Sequence, residues 1–107
     1  MLTKKFIKSR QKWQVVFEVP ANELPVDVDV QSIQLVGDFN QWDPAATPMK
    51  RNRRKVYRAT LELEPEQSYQ FRYLVNGAQW LNDWHADAYI PGSYGQDNCV
   101  VLTGAVP

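Results

Sequence analysis

The chain has 107 residues, 44% of them hydrophobic and 22% charged, with twelve Lys plus Arg balancing twelve Asp plus Glu. That length suits one domain with a single core, and the composition excludes both a disordered chain and a whole-molecule attraction to nucleic acid or anionic lipid. No apolar run approaches a membrane span, and the basic start MLTKKFIKSRQKW lacks the apolar h-region of a signal peptide, so a cytoplasmic protein without membrane association is expected.

Residues 1–10 read as a basic arm or a first edge strand, carrying Lys4, Lys5, Lys8 and Arg10. Trp13, Val15, Phe17 and Val19 then alternate with mostly polar neighbours, which predicts a half-buried strand with Trp13 in the core. Ile33 and Leu35 repeat the alternation before Gly37. The run KRNRRK, residues 50–55, reads as a hairpin tip ahead of a strand whose Tyr57, Ala59, Leu61 and Leu63 face one way. After Pro65-Glu66-Gln67-Ser68, the residues Tyr69, Phe71, Tyr73 and Val75 make an apolar face opposite Gln70, Arg72 and Leu74. Asn76-Gly77-Ala78 predicts a hairpin into Gln79-Trp80. Pro91-Gly92-Ser93 breaks the chain before a last strand from about Asn98 to Thr103, which holds Cys99, a lone thiol with no internal disulfide partner, as a strand residue. About six to eight short strands with regular turns predict an all-β, immunoglobulin-like antiparallel β-sandwich over residues 11–103, followed by a short tail, 104–107.

Two tryptophans lie outside this alternation. Trp42 ends the polar turn GDFNQW and Trp80 follows the hairpin, each flanked by amides and acids. Each can be a half-buried aromatic closing the end of the sandwich or an exposed platform. Carbohydrate recognition gives exposed rings a purpose, because the C–H face of a pyranose packs on an aromatic face while its hydroxyls need polar groups at the rim. Arg72, on the outward face of its strand beside Trp80, suits the rim. The loop PGSYGQDN adds Tyr94, Gln96, Asp97 and Asn98.

The motifs GDFNQW, YQFRYLVNGAQW and YGQDN, in that order and followed by an apolar strand, resemble carbohydrate-binding module family 48. This is the family of the glycogen-binding domain of the AMP-activated protein kinase β subunit and of the N-terminal domains of isoamylases and branching enzymes. The resemblance implies that Trp42 and Trp80 stack on glucose rings. It puts Arg72 where the family has a lysine, Tyr94 where a leucine enters the sugar coil, Asn98 where an asparagine bonds glucose hydroxyls, and Gln96 at a further polar contact. Ala78 is an extra residue in the hairpin and is expected to shift Trp80. The implied function is non-catalytic binding of α-1,4-linked glucan such as glycogen or starch, beside a kinase or amylolytic partner and without cofactor or metal.

Three rival readings accompany this one. Asp83, His85 and Asp87 alternate in NDWHAD and suggest metal ligands or an acid–base set; the plainer expectation is a surface segment. KRNRRK and the basic N-terminal residues would form one positive patch for nucleic acid or an acidic partner, against a simple solvated loop. A packing module that contacts a glycogen-metabolising enzyme or kinase without binding sugar is the third.

Overall fold

The two segments with the cleanest alternation become inner strands of two facing sheets. The computed structural model describes residues 1–92 and 96–107. Among them nine strands form: β1 (Leu2–Ile7), β2 (Lys12–Val19), β3 (Ile33–Gly37), β4 (Lys50–Arg51), β5 (Tyr57–Leu63), β6 (Ser68–Val75), β7 (Gln79–Leu81), β8 (Ala88–Pro91) and β9 (Asp97–Leu102). One sheet has the order β1-β2-β5-β4 and the other β3-β6-β9-β8, with β7 also paired to β6. All pairings are antiparallel, and the architecture is the expected immunoglobulin-like β-sandwich.

The core lies between the sheets and follows the period-two pattern. Val15, Phe17, Val19, Tyr57, Ala59 and Leu63 from the first sheet meet Ile33, Leu35, Phe71, Tyr73, Val75, Cys99 and Val101 from the second. An aromatic edge ties the layers together, Phe17 of β2 meeting Phe71 of β6 at 5.1 Å between ring centroids, and Phe71 packs in turn on Tyr73 of its own strand at 5.7 Å. Trp13 differs from expectation. It lies at the margin of the core, half-buried, with its indole N–H donating to the Gly104 carbonyl at 2.9 Å and its ring edge-on to Phe6. An indole that must place its N–H settles where a carbonyl is available, and here the C-terminal segment supplies it.

Asn76 and Gly77 both have positive φ and Ala78 N–H closes on the Val75 carbonyl at 3.0 Å, as a type I′ turn requires. Ala78 is thereby absorbed into the turn, and Trp80 is left directly opposite Leu74. The β4–β5 tip is closed by Asn52, whose side-chain oxygen accepts from Arg54 N–H at 2.9 Å and Val56 N–H at 3.1 Å. β8, which the alternation did not reveal, pairs with β9 from Ala88↔Val100 to Pro91↔Asp97 and ends at a proline, as an edge strand tolerates.

The basic N-terminal residues and the basic hairpin do not meet in one patch. β1 and β4 are opposite edges of the same sheet, separated by β2 and β5. Three of the five basic side chains near the N-terminus are also paired: Lys4 with Asp87, Arg10 with Glu62 and Lys12 with Glu64.

Candidate functional site

Each residue of GDFNQW except Gln41 has an identifiable task. Gly37 ends β3 so close to β6 that a Cβ there would lie 2.5 Å from the Gln70 carbonyl oxygen and 2.8 Å from Phe71 Cβ. Asp38 follows and continues the ladder with its side chain, one carboxylate oxygen accepting Gln70 N–H at 2.7 Å and the other accepting the Trp42 indole N–H at 2.8 Å. Phe39 drops into the sandwich against Phe17 and Tyr69. Asn40 folds back to accept from Gly37 N–H at 3.1 Å while donating to the Leu35 carbonyl and the Thr47 hydroxyl. Gln41 and Trp42 then adopt left-handed φ values of 56°, and Trp42 N–H returns to the Gly37 carbonyl at 2.9 Å. The loop holds a half-buried indole by both its backbone and its ring nitrogen.

The outward face of the second sheet carries the other members. Directly paired residues share a face, so Gln70, Arg72, Leu74, Trp80, Asn98 and Val100 all lie on it. Trp80 is 41% exposed, and the Arg72 guanidinium stands over its ring at 5.3 Å from the centroid. Arg72 is itself fixed at two points: Nε donates to Asn82 Oδ1 and Nη2 to Gln96 Oε1, each at 2.8 Å. Partial burial draws the guanidinium below its ordinary pKa, though it stays cationic throughout the neutral range. Asn98 donates to Gln70 Oε1 at 3.1 Å.

The structure therefore brings Arg72, Trp80, Gln96 and Asn98 to one face and ties Trp42 to it through Asp38 and β6. Between Gln70, where that tie is made, and Leu74, opposite Trp80, the strand rises about 13 Å. Tyr94 lies outside the described residues. Sequence reasoning passed over Asp38, Gln70 and Asn82, which hold Trp42, Asn98 and Arg72. Alternation offered a signal for two of them, since Gln70 stands two residues before Arg72 and Asn82 two after Trp80. It also passed over Trp84, whose 72% exposure is the largest among the described aromatic residues.

NDWHAD is less superficial than its composition suggests. Asp83 is 2% exposed, and its carboxylate accepts from the Tyr73 hydroxyl at 2.6 Å, the His85 N–H at 2.7 Å and the Met1 ammonium. Its own N–H meets Cys99 Sγ at 3.2 Å, and its carbonyl accepts the Tyr89 hydroxyl at 2.6 Å. This acid is a buried junction between the sheets, satisfied on every side, where a surface position was expected. Among the described residues no three His, Cys, Asp or Glu side chains gather as metal ligands.

The family model for carbohydrate-binding module 48, the isoamylase N-terminal domain, matches residues 29–90, more than half of the chain. The chain belongs to carbohydrate-binding module family 48. Membership makes it a non-catalytic module of a carbohydrate-binding family. The matched stretch contains Trp42, Arg72 and Trp80 and ends before Tyr94, Gln96 and Asn98. No curated protein matches the sequence.

Proposed function

We propose that this family 48 module binds α-1,4-linked glucan, of the glycogen or starch type, on the outward face of its second sheet. Trp42 and Trp80 stack on glucose rings, and Arg72, Gln96 and Asn98 bond hydroxyls at the rim. Tyr94 packs beside or into the sugar coil, as the family resemblance implies. The observation that carries this reading is the exposed Trp80 ring under a guanidinium that is itself held by Asn82 and Gln96. An arginine stacked and fixed in this way leaves further N–H donors for hydroxyls at the edge of the ring it covers.

The energetics suit a weak, repetitive ligand. Two indoles each covering about 100 Å² of sugar supply about 5 kcal/mol at roughly 25 cal/mol per Å². A few hydrogen bonds add about 1 kcal/mol each, and association costs at least about 4 kcal/mol. The balance corresponds to millimolar to micromolar affinity, which a polymer with many equivalent sites strengthens by multivalency.

Titration with β-cyclodextrin or maltoheptaose, followed by calorimetry and tryptophan fluorescence, tests the reading. Saturable binding is expected, with loss on Trp42→Ala and on Trp80→Ala in variants that remain folded. Failure of the folded native protein to bind either sugar would overturn it. A second reading, a packing module for a glycogen-metabolising enzyme or kinase, draws on exposed Trp84, Tyr89 and Ile90, which offer apolar surface to a protein.

A further inference from the structure

The strongest charge concentration lies away from the proposed sugar face. Lys50, Arg51, Arg53, Arg54 and Lys55 occupy five of six consecutive positions at the β4–β5 hairpin, and all are exposed. Among the described residues none of the five has a carboxylate within ion-pair distance, whereas Lys4, Arg10, Lys12 and Arg58 each have one. Five unpaired cations on one tip repel one another, a cost that an anionic partner would remove. The tip is also built to hold its shape. Asn52 closes the turn from its side chain and backbone, and Lys55 keeps a left-handed φ of 61°, a conformation in which glycine or asparagine avoids strain.

Two of the grooves beside the hairpin meet at Arg51. One, of about 400 Å³, carries cations and hydroxyls on a partly apolar wall and is lined by Thr47, Lys50, Arg51, Asn52, Arg58 and Thr60 among others. The other, of about 270 Å³, is mostly apolar, lined by Leu24, Pro25, Val28 and Tyr57, with Arg51 and Lys55 also in its wall. Val26, part of the same wall, is fully exposed. A basic strip next to an aliphatic groove fits an extended segment that bears carboxylates and an apolar side chain.

We infer that the β4–β5 hairpin and the groove under the 24–30 loop form a docking surface for a short acidic segment of a partner protein, anchored by one aliphatic side chain. Charge distribution favours this occupant over a long polyanion. With five of the twelve cations on the hairpin, the rest of the chain carries seven cations against twelve carboxylates. Nucleic acid or an anionic membrane extending past the tip would meet a net negative body, while a short segment confined to the tip would not. The tip, residues 50–56, holds no aromatic residue, and Tyr57 at the start of β5 is buried, so no exposed ring there offers a base a stacking surface.

The charge-reversed positions are separable from the sugar face, because Arg53 and Arg54 sit at the tip of the β4–β5 hairpin in one sheet while Arg72, Trp80 and Asn98 belong to the other, and Thr47, where the Trp42 loop meets the basic groove, is left unchanged. The probe is a fluorescein-labelled, glutamate-rich peptide carrying a single leucine, read by anisotropy with the full chain. Saturable binding that weakens steeply with salt is expected. Arg53→Glu combined with Arg54→Glu should weaken it about tenfold or more. Val28→Ser should weaken the leucine peptide but not a serine version of it, and both variants should retain the native melting temperature. Absence of saturable binding, or indifference to the charge reversal, overturns the inference. Tighter binding of single-stranded DNA of equal charge would assign the patch to nucleic acid instead. Salt-sensitive self-association in sedimentation, competing with the peptide, would assign it to a second copy of the chain.

Discussion

Trp42 and Trp80 are held by opposite means, and the contrast shows where this fold invests in the site. Trp80 is delivered by regular structure: a type I′ turn sets the register, the register puts it opposite Leu74, and Arg72 lies over it from the neighbouring strand. Trp42 is delivered by an irregular loop that relies on a glycine contact, an aspartate bridge, an asparagine lock and two left-handed residues. A strand position tolerates changes around it as long as alternation is kept. A loop of interlocking polar contacts depends on each one, so single substitutions should separate the two platforms sharply.

The largest effect is expected at Gly37. An added Cβ would press on the Gln70 carbonyl oxygen and on Phe71 Cβ, and neither can swing aside because one is backbone and the other is attached to it. Gly37→Ala should destabilise the domain by about 3 kcal/mol, within the upper range for overpacking, and free the Trp42 loop. Urea denaturation reads the loss directly; an unchanged midpoint would mean that the β3–β6 approach is looser than described.

Alkaline pH strikes the other side of the comparison, beneath Trp80. Burial pushes the Cys99 thiol up to about 11, and burial together with the Asp83 carboxylate pushes the Tyr73 hydroxyl well above its ordinary range. In both groups the fold favours the protonated form, so the unfolded chain releases its proton first as pH rises. The thiol's contribution is complete below its ordinary value of 9.0 and is lost as pH climbs towards 11. That loss amounts to about 2 to 3 kcal/mol, with tyrosine extending the decline higher. Denaturation midpoints from neutral pH upward should fall through this window, and Cys99→Ala should flatten the first part of the fall. A native curve as flat as that of the variant would contradict the assignment.

Much of this division was legible in the sequence. Alternation and the Asn76-Gly77 turn announced β2, β5, β6 and the β6–β7 hairpin, because a two-residue period and a positive-φ turn are local properties. Arg72 and Trp80 followed from the same logic. The task of Asp38 was not legible, since its meaning depends on Gln70, far along the chain, presenting an N–H beside it. Asp83 misled for the same reason: an acid beside a histidine looks solvated until the Tyr73 hydroxyl and the Met1 ammonium are brought to it. Long-range polar satisfaction leaves no periodic trace.

Asp38 gives the next and smaller prediction. Removing its carboxylate strands Gln70 N–H at the end of the β3–β6 ladder and releases the Trp42 indole. Asp38→Ala should cost about 1 to 2 kcal/mol of stability and weaken glucan binding about tenfold, because the ring then spends much of its time in other rotamers. Asp38→Asn keeps one acceptor oxygen and should recover part of either loss. Calorimetric titration beside Trp80→Ala decides the matter, since equal affinity in Asp38→Ala and the native protein would show that the indole needs no anchor.

The smallest effect should have the opposite sign. Gln41 is held at φ 56° and ψ 32° and makes no side-chain hydrogen bond among the described residues, so its conformation serves only to turn the chain towards Trp42. An L-residue with a Cβ pays about 1 to 2 kcal/mol for that conformation, and glycine avoids it but loses more backbone freedom on folding. Gln41→Gly should therefore stabilise the domain by only about 0.5 to 1 kcal/mol. The same substitution widens the range of conformations open to the loop before sugar arrives. Glucan affinity should then stay level or drop slightly while the melting temperature rises. If affinity rose together with stability, strain at Gln41 would be opposing the bound geometry of Trp42 instead of supporting it, and the loop would be set for a ligand that moves it.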